Sequence, residues 1–139
     1  MNLRLGLLLR QAHGRAAASL NDALSPLSLT GKHFGVLLLI DRDGVSTQRD
    51  LIRETGSDKA GMVRTVEDLE NLGYLSRERS TTDRRVFELT LTEAGQAAFG
   101  KARRLAGAAG RELFDPFTQA ELDTFEDLLA RFVDAGRQT

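Results

Sequence analysis

The order of patterns in residues 47–92, which is helix, turn, helix and β-hairpin, constrains the fold of this chain more than any other feature. Thr47 with Asp50 three residues later predicts a capping box, in which the Asp50 side chain reaches back to the start of the first helix. Gly56 permits the tight turn that ends this helix, and Asp58 opens the second one. Three apolar side chains at helical spacing predict the buried face of the second helix: Met62, Val66 and Leu69.

The β-hairpin is predicted by two segments that alternate at strand period, residues 74–79 and 85–91, after the helix-ending Gly73. Its tip, residues 79–85, holds three arginines and one aspartate and therefore has a net charge of +2. A basic tip fits a narrow minor groove, whose negative potential attracts guanidinium groups. The whole stretch is typical of a winged helix-turn-helix that binds duplex DNA.

Several motifs carry a family resemblance. A helix opening at Leu29-Thr30 contains Phe34 and Leu37, residues 69–75 read Leu-Glu-Asn-Leu-Gly-Tyr-Leu with Arg77 following, residues 83–85 read Asp-Arg-Arg, and residues 91–95 read Leu-Thr-Glu-Ala-Gly. Because these pieces occur together, in order and correctly spaced, the sequence resembles the MarR family of bacterial transcriptional regulators over nearly the whole chain. The resemblance implies a mainly α fold with a small β-hairpin wing, as one domain in which residues 25–92 form the DNA-binding lobe and residues 1–24 and 93–139 the dimerisation helices.

The candidate DNA contacts lie on the outer side of the second helix and on the wing. Lys59 and Arg64 can donate to guanine acceptors or phosphates, whereas Ala60 and Gly61, where many relatives carry serine or threonine, offer no side-chain hydrogen bond to base edges. The family's Asp-x-Arg motif implies that Arg85 enters the minor groove while Asp83 orients an arginine. The alternative for the wing is a surface charge run held by local salt bridges. The full candidate set is Gln48, Ser57, Lys59, Ala60, Gly61, Val63, Arg64, Arg77, Arg79, Thr81, Asp83, Arg84 and Arg85.

Charge and composition restrict the function classes. The chain has a net charge of −1, and residues 46–92 hold eight basic against nine acidic side chains, so we expect weak non-specific DNA affinity and reliance on a dimer. No phosphate loop, nucleophile elbow or histidine-rich metal motif is present, which argues against an enzyme, a cofactor or a metal site. Two alternatives stay open: a winged-helix protein-interaction module that has lost DNA binding, and a DNA binder without an effector.

Long helices flank the predicted DNA-binding lobe. Apolar periodicity predicts helices over residues 3–24, 30–41, 92–114 and 118–136, the last opened by a capping box between Thr118 and Glu121. The family resemblance implies that the terminal helices interlock in a homodimer, which would read a near-palindromic operator in double-stranded DNA. The apolar run near the N-terminus is too short for a signal peptide or a membrane span, so we expect a soluble cytoplasmic protein without membrane contact.

An effector is expected from the resemblance alone, since relatives commonly release DNA on binding a small, often aromatic and anionic, molecule. Arg10, His13, His33 and Phe34 are the polar and aromatic candidates for such a ligand. The alternative is that both histidines are ordinary surface or core residues. The absence of cysteine excludes a thiol-based oxidant sensor.

Overall fold

The computed structural model describes residues 2–44 and 46–137, and this part of the chain is mainly helical with one β-hairpin. Most of the helices lie within two residues of the predicted bounds, which confirms the predicted fold class. The elements in chain order are α1 (Leu3–Leu24), α2 (Gly31–Asp43), α3 (Gln48–Thr55), α4 (Lys59–Asn71), β1 (Leu75–Arg79), β2 (Phe87–Leu91), α5 (Glu93–Leu113) and α6 (Gln119–Arg137), with a 3-10 turn (Ser25–Leu27) after α1.

The structure differs from the predicted helix starts in one detail, the capping box of α3. The Thr47 hydroxyl accepts the Asp50 N–H at 3.2 Å and so caps α3 as expected. The reciprocal half of that capping box is wrong, because the Asp50 carboxylate accepts a hydrogen bond from Arg53 at 2.8 Å instead. A guanidinium one turn away is a stronger partner for a carboxylate than a backbone N–H. At α6 the box is complete, since Glu121 accepts the Thr118 N–H at 2.9 Å and donates its own N–H to the Thr118 hydroxyl at 3.1 Å.

The hydrophobic core joins α2, α3, α4 and the first half of α5 to the base of the hairpin. Every predicted inward side chain of α4 is at most 2% exposed, as the helical spacing requires. Leu51 of α3 and Leu37 of α2 are fully buried against the same cluster, and Leu75 and Leu89 close it from the two strands. The core therefore fixes the outward face of α4 relative to the hairpin.

The hairpin is antiparallel, with Leu75 opposite Leu91 and Arg79 opposite Phe87. The second strand begins two residues later than predicted, because residues 83–86 form a turn in which Val86 donates to the Asp83 carbonyl at 3.0 Å. Ser80 donates its N–H to the Val86 carbonyl at 2.8 Å and closes the tip below that turn.

Gly95, the last residue of the Leu-Thr-Glu-Ala-Gly motif, fixes α5 on the hairpin base. A Cβ at this position would lie 2.1 Å from the Tyr74 carbonyl oxygen. Thr92, which caps α5, donates its N–H to the same carbonyl at 3.1 Å and its hydroxyl to the Gly73 carbonyl. Only glycine allows the two backbones to approach this closely.

Two apolar surfaces are left uncovered within the single chain. Helix α6 buries none of its side chains, although Phe132 is 63% exposed and Leu128 51%. The N-terminal half of α1 is likewise exposed, with Leu3 at 78%, and Leu24 is the one residue of this helix that is buried. No single helix in residues 2–44 and 46–137 is both long and apolar enough to cross a bilayer, although α1 with its following turn and α2, bent by 82°, pass that test together.

Candidate nucleic-acid interface

Helix α4 presents the outer side of its first two turns to solvent. The Asp58 carboxylate caps the helix by accepting the Gly61 N–H at 2.6 Å, and a Cβ on Gly61 would lie 3.0 Å from that same oxygen. Lys59, Ala60 and Arg64 are exposed, while Gly61 and Val63 are half-buried. The Lys59 and Arg64 side chains form no hydrogen bond or ion pair within the described part of the chain. Both cations are therefore available to an external acceptor.

Helix α3 and its turn place two further candidates at opposite ends of that short helix. Gln48 is the first residue of α3, and Ser57 lies in the turn before α4, where its N–H donates to the Thr55 hydroxyl at 3.3 Å. Both residues are half-buried, and Thr81 is exposed at the wing tip. The candidates thus lie on both helices, the turn and the wing of one winged helix-turn-helix unit.

The wing tip is organised by Asp83. One carboxylate oxygen accepts the Arg85 N–H at 3.0 Å and the Arg85 Nε at 3.2 Å. The backbone N–H and then the guanidinium lower the pKa of the Asp83 carboxyl below its ordinary value, because both favour the charged form. The Arg85 side chain is 91% exposed despite this bond. Asp83 therefore orients a guanidinium whose outer nitrogens face solvent.

Ser80 lies in the wing tip but is not among the candidate DNA contacts that the sequence predicts. Its side chain is buried at 6% exposure, and its hydroxyl accepts the N–H groups of Thr82 at 3.2 Å and Asp83 at 3.3 Å. This pattern is a serine turn, in which a hydroxyl binds the backbone two and three residues later. A serine three residues before the motif aspartate was the signal that could have found it.

Phe87 is the second residue that sequence reasoning missed. Its ring lies 4.7 Å from the guanidinium carbon of Arg79 and 5.6 Å from that of Arg77. Arg77 also forms an ion pair with Glu70 of α4 at 2.8 Å, and Arg79 donates to the Arg84 carbonyl. Two of the candidate DNA contacts, Arg77 and Arg79, are thus already engaged with other residues of the chain. The strand register, which places Phe87 opposite Arg79, could have indicated the contact.

The four effector candidates are divided between α1, which carries Arg10 and His13, and α2, which carries His33 and Phe34. Arg10 and His13 are exposed on α1, and Phe34 packs against Phe99 of α5 with ring centroids 5.7 Å apart. The cavity between α1 and α5, about 580 Å³, is lined by none of the four. Its lining residues are Arg15, Ser19, Asp22, Ala23, Ala109, Glu112 and Leu113.

His33 joins α2 to α4 and lines a smaller cavity of about 280 Å³. Its Nδ1 accepts the Thr30 N–H at 2.9 Å, so the geometry assigns the ring proton to Nε2, which lies 2.9 Å from the Asp68 carboxylate. Within residues 2–44 and 46–137, no three histidine or acidic side chains are grouped in a way that could hold a metal ion.

Known proteins share this architecture. The family model described as the MarR family matches residues 27–86. The HTH-type transcriptional regulator YwhA of Bacillus subtilis (strain 168), itself uncharacterized, is 25% identical over 117 residues, which are 84% of each chain. CouR from Rhodococcus jostii RHA1, solved with p-coumaroyl-CoA bound, is 27% identical with a TM-score of 0.80, over 90% of this chain and 88% of CouR.

MarR from E. coli is similar in two solved structures. A MarR mutant complexed with operator DNA has a TM-score of 0.83 at 29% identity, over 93% of both chains. The reduced form of MarR is 30% identical with a TM-score of 0.78, over 92% of this chain and 95% of MarR. Because it is 30% identical to MarR over 92% of its length and carries the Asp-x-Arg wing described above, this chain belongs to the MarR family of transcriptional regulators.

Proposed function

We propose that the protein is a homodimeric repressor that binds a specific double-stranded DNA operator and releases it when a small aromatic or anionic effector binds. The observation that carries this proposal is the wing tip, where Asp83 holds the Arg85 guanidinium at 3.2 Å while 91% of the Arg85 side chain remains exposed. An oriented, exposed arginine on a β-hairpin suits insertion into a minor groove. The protein would act in the cytoplasm, where bacterial DNA lies.

Helix α4 is the proposed recognition helix. Its N-terminal turns expose Lys59 and Arg64, whose side chains can reach guanine acceptors or phosphates in a major groove. Ala60 and Val63 offer apolar contact, for example with a thymine methyl group. This face of α4 can form few hydrogen bonds to base edges, so the wing and the second protomer should supply much of the affinity for DNA.

Dimerisation is supported by the uncovered apolar surfaces of the terminal helices. Phe132 and Leu128 on α6, and Leu3 and Leu5 on α1, are each more than half exposed in the single chain. Exposed apolar patches of this kind usually mark protein interfaces. A two-fold dimer would present two α4 helices to successive major grooves, so the operator should be a near-palindrome. Phe132→Glu should shift the protein toward monomer in sedimentation velocity and weaken operator binding with it.

The proposal also includes control of DNA binding by a small-molecule effector. CouR, a structural relative, was solved with p-coumaroyl-CoA. The groove of about 580 Å³ between α1 and α5 is open to solvent and is lined by none of the four candidate residues, so the support for an effector comes from this relative and not from the groove. Arg10, His13, His33 and Phe34 remain candidates for ligand contact. Salicylate, an aromatic anion, is the first probe, and loss of operator binding on its addition would support gating.

The DNA-binding proposal is tested by fluorescence anisotropy on the intergenic DNA upstream of the protein's own gene, against a scrambled duplex, at several salt concentrations. We expect tighter binding to the native fragment that weakens steeply with salt. Arg85→Ala should lower the affinity for the native fragment at least about tenfold, since it removes an oriented minor-groove contact. Lys101→Ala on α5 removes the same charge at an exposed position outside the wing and should change binding little.

Two outcomes would contradict the proposal. Equal, feeble binding of the wild-type protein to native, scrambled and in vitro-selected duplexes would favour a protein-interaction module that retains the winged fold. Equal losses for Arg85→Ala and Lys101→Ala would show that net charge, and not the oriented wing arginine, determines the affinity.

A further inference from the structure

Phe87 is a large apolar side chain on the partly exposed β-hairpin. It lies at the start of β2, directly opposite Arg79, and it is 40% exposed. It does not belong to the cluster of buried core residues. Any role of Phe87 in the wing therefore depends on the groups that contact its ring.

The contacts of Phe87 form a short chain that leads to the wing tip. The Arg79 guanidinium carbon lies 4.7 Å from the ring centroid, within the range of cation–π contact. The same guanidinium donates to the Arg84 carbonyl. The next residue along the backbone is Arg85, whose N–H and Nε are held by Asp83. The ring thus acts on the tip through one intervening arginine.

Arg77 also contacts the ring but does not depend on it. Its guanidinium carbon is farther from the centroid, at 5.6 Å, and Glu70 of α4 holds it by an ion pair at 2.8 Å. Loss of the ring would leave Arg77 anchored on α4. Arg79 has no acidic partner within the described residues, so the ring and the Arg84 carbonyl are its two observed anchors.

We propose that Phe87 is a positioning residue of the wing: its ring holds Arg79, Arg79 holds the Arg84 carbonyl, and the tip is thereby ordered before Arg85 meets the minor groove. The inference rests on the proposed function and identifies a residue on which operator affinity depends without DNA contact of its own. A pre-ordered tip binds more tightly because less conformational entropy is lost on binding.

The test is a set of double-mutant cycles read by operator anisotropy, with urea unfolding of every variant. Phe87→Leu keeps an apolar side chain but removes the π face, and it should weaken operator binding by about three- to tenfold, as expected for the loss of one partly exposed cation–π contact and the order that depends on it. Phe87→Tyr retains the ring and should restore wild-type affinity. Because the ring already contacts Arg79 in the free protein, Phe87→Leu should lower the free energy of unfolding by no more than it lowers the free energy of operator binding, and Phe87→Tyr should leave both unchanged.

The cycles separate positioning from general wing stability. If Phe87 acts through Arg79, Phe87→Leu should add no further loss in an Arg79→Met background. In the matched Arg77→Met background, Phe87→Leu should still weaken binding by about three- to tenfold, because Arg77 is anchored by Glu70 and not by the ring. Additive losses in both backgrounds, or a loss of unfolding free energy in Phe87→Leu much larger than its loss of binding free energy, would overturn the inference.

Failure of the inference is distinguishable from failure of the proposed function. If the wild-type protein binds its operator, Arg85→Ala releases it and Phe87→Leu binds as tightly as wild type, the positioning role is refuted and DNA binding stands. If the wild-type protein binds no duplex specifically, the proposed function fails first.

Discussion

Replacing Gly95 with alanine adds one methyl group at a contact between two backbones. The new Cβ would lie 2.1 Å from the Tyr74 carbonyl oxygen, whereas ordinary van der Waals contact begins at 3.4 Å, so α5 or the hairpin base must retreat by about 1.3 Å. A backbone carbonyl held in a turn cannot rotate away as the end of a flexible side chain can. The displacement therefore falls on the junction between the hairpin and α5.

The cost has three parts. Overpacking at a rigid site costs about 1–3 kcal/mol. The retreat also stretches two hydrogen bonds of Thr92, to the Tyr74 and Gly73 carbonyls, each worth about 0.5–1.5 kcal/mol. Against these, alanine in a helix is better than glycine by up to about 1 kcal/mol. We expect Gly95→Ala to lower the free energy of unfolding by about 2–4 kcal/mol.

Urea unfolding followed by circular dichroism measures the change, at fixed protein concentration because dimerisation would add to the apparent stability. Gly100→Ala is the matched control on the same helix, since the nearest side-chain atom to its added Cβ is the end of Arg104 at 4.0 Å. That control should be neutral or more stable by up to about 1 kcal/mol. A Gly95→Ala protein as stable as wild type, or a loss of equal size at Gly100, would refute the steric reasoning.

Two further predictions concern α4 and the hairpin. His33→Ala removes both the acceptor of the Thr30 N–H and the donor to Asp68, and should lower the free energy of unfolding by about 1–2 kcal/mol. Asp68→Asn keeps an acceptor oxygen and should cost less. Urea midpoints equal to wild type for both variants, or a larger loss for Asp68→Asn, would contradict this. Glu88 faces Glu78 directly across the strands, so Glu88→Gln should relieve like-charge repulsion and tighten DNA binding in anisotropy; unchanged or weaker binding would contradict this.

The sequence predicted the helices well because each carries an apolar periodicity that its own chain or a partner must cover. The start of the second strand was harder to predict, since residues 85 and 86 have strand-like side chains but belong to the tip turn, where the Asp83 carboxylate accepts the Arg85 N–H and the Asp83 carbonyl accepts the Val86 N–H. The Asp50 side chain was misplaced for a similar reason, because a local competitor, Arg53, was nearer than the expected backbone donor. Both errors arise where two local hydrogen-bond partners compete.

Within the candidate interface, the sequence motif indicated Asp83 and Arg85 but not the residues that organise them. Ser80 contributes through a buried hydroxyl and Phe87 through a ring across the strands, and these roles depend on tip geometry and register that the sequence does not specify by itself. The stripe predicted along α1 shows a further limit. Periodicity indicates an apolar face but not which chain covers it, and only Leu24 of that helix is buried within its own chain.

Selection of the purified protein's preferred duplexes from a random DNA library tests the central claim most directly, because it assumes no operator. A two-fold dimer that places α4 in the major groove and Arg85 in the minor groove predicts an enriched near-palindrome with half-sites about one helical turn apart, roughly 10 base pairs. Selection with the Arg85→Ala variant should enrich this near-palindrome far less. Absence of any enriched motif, or an enriched motif without two-fold symmetry, would contradict the account.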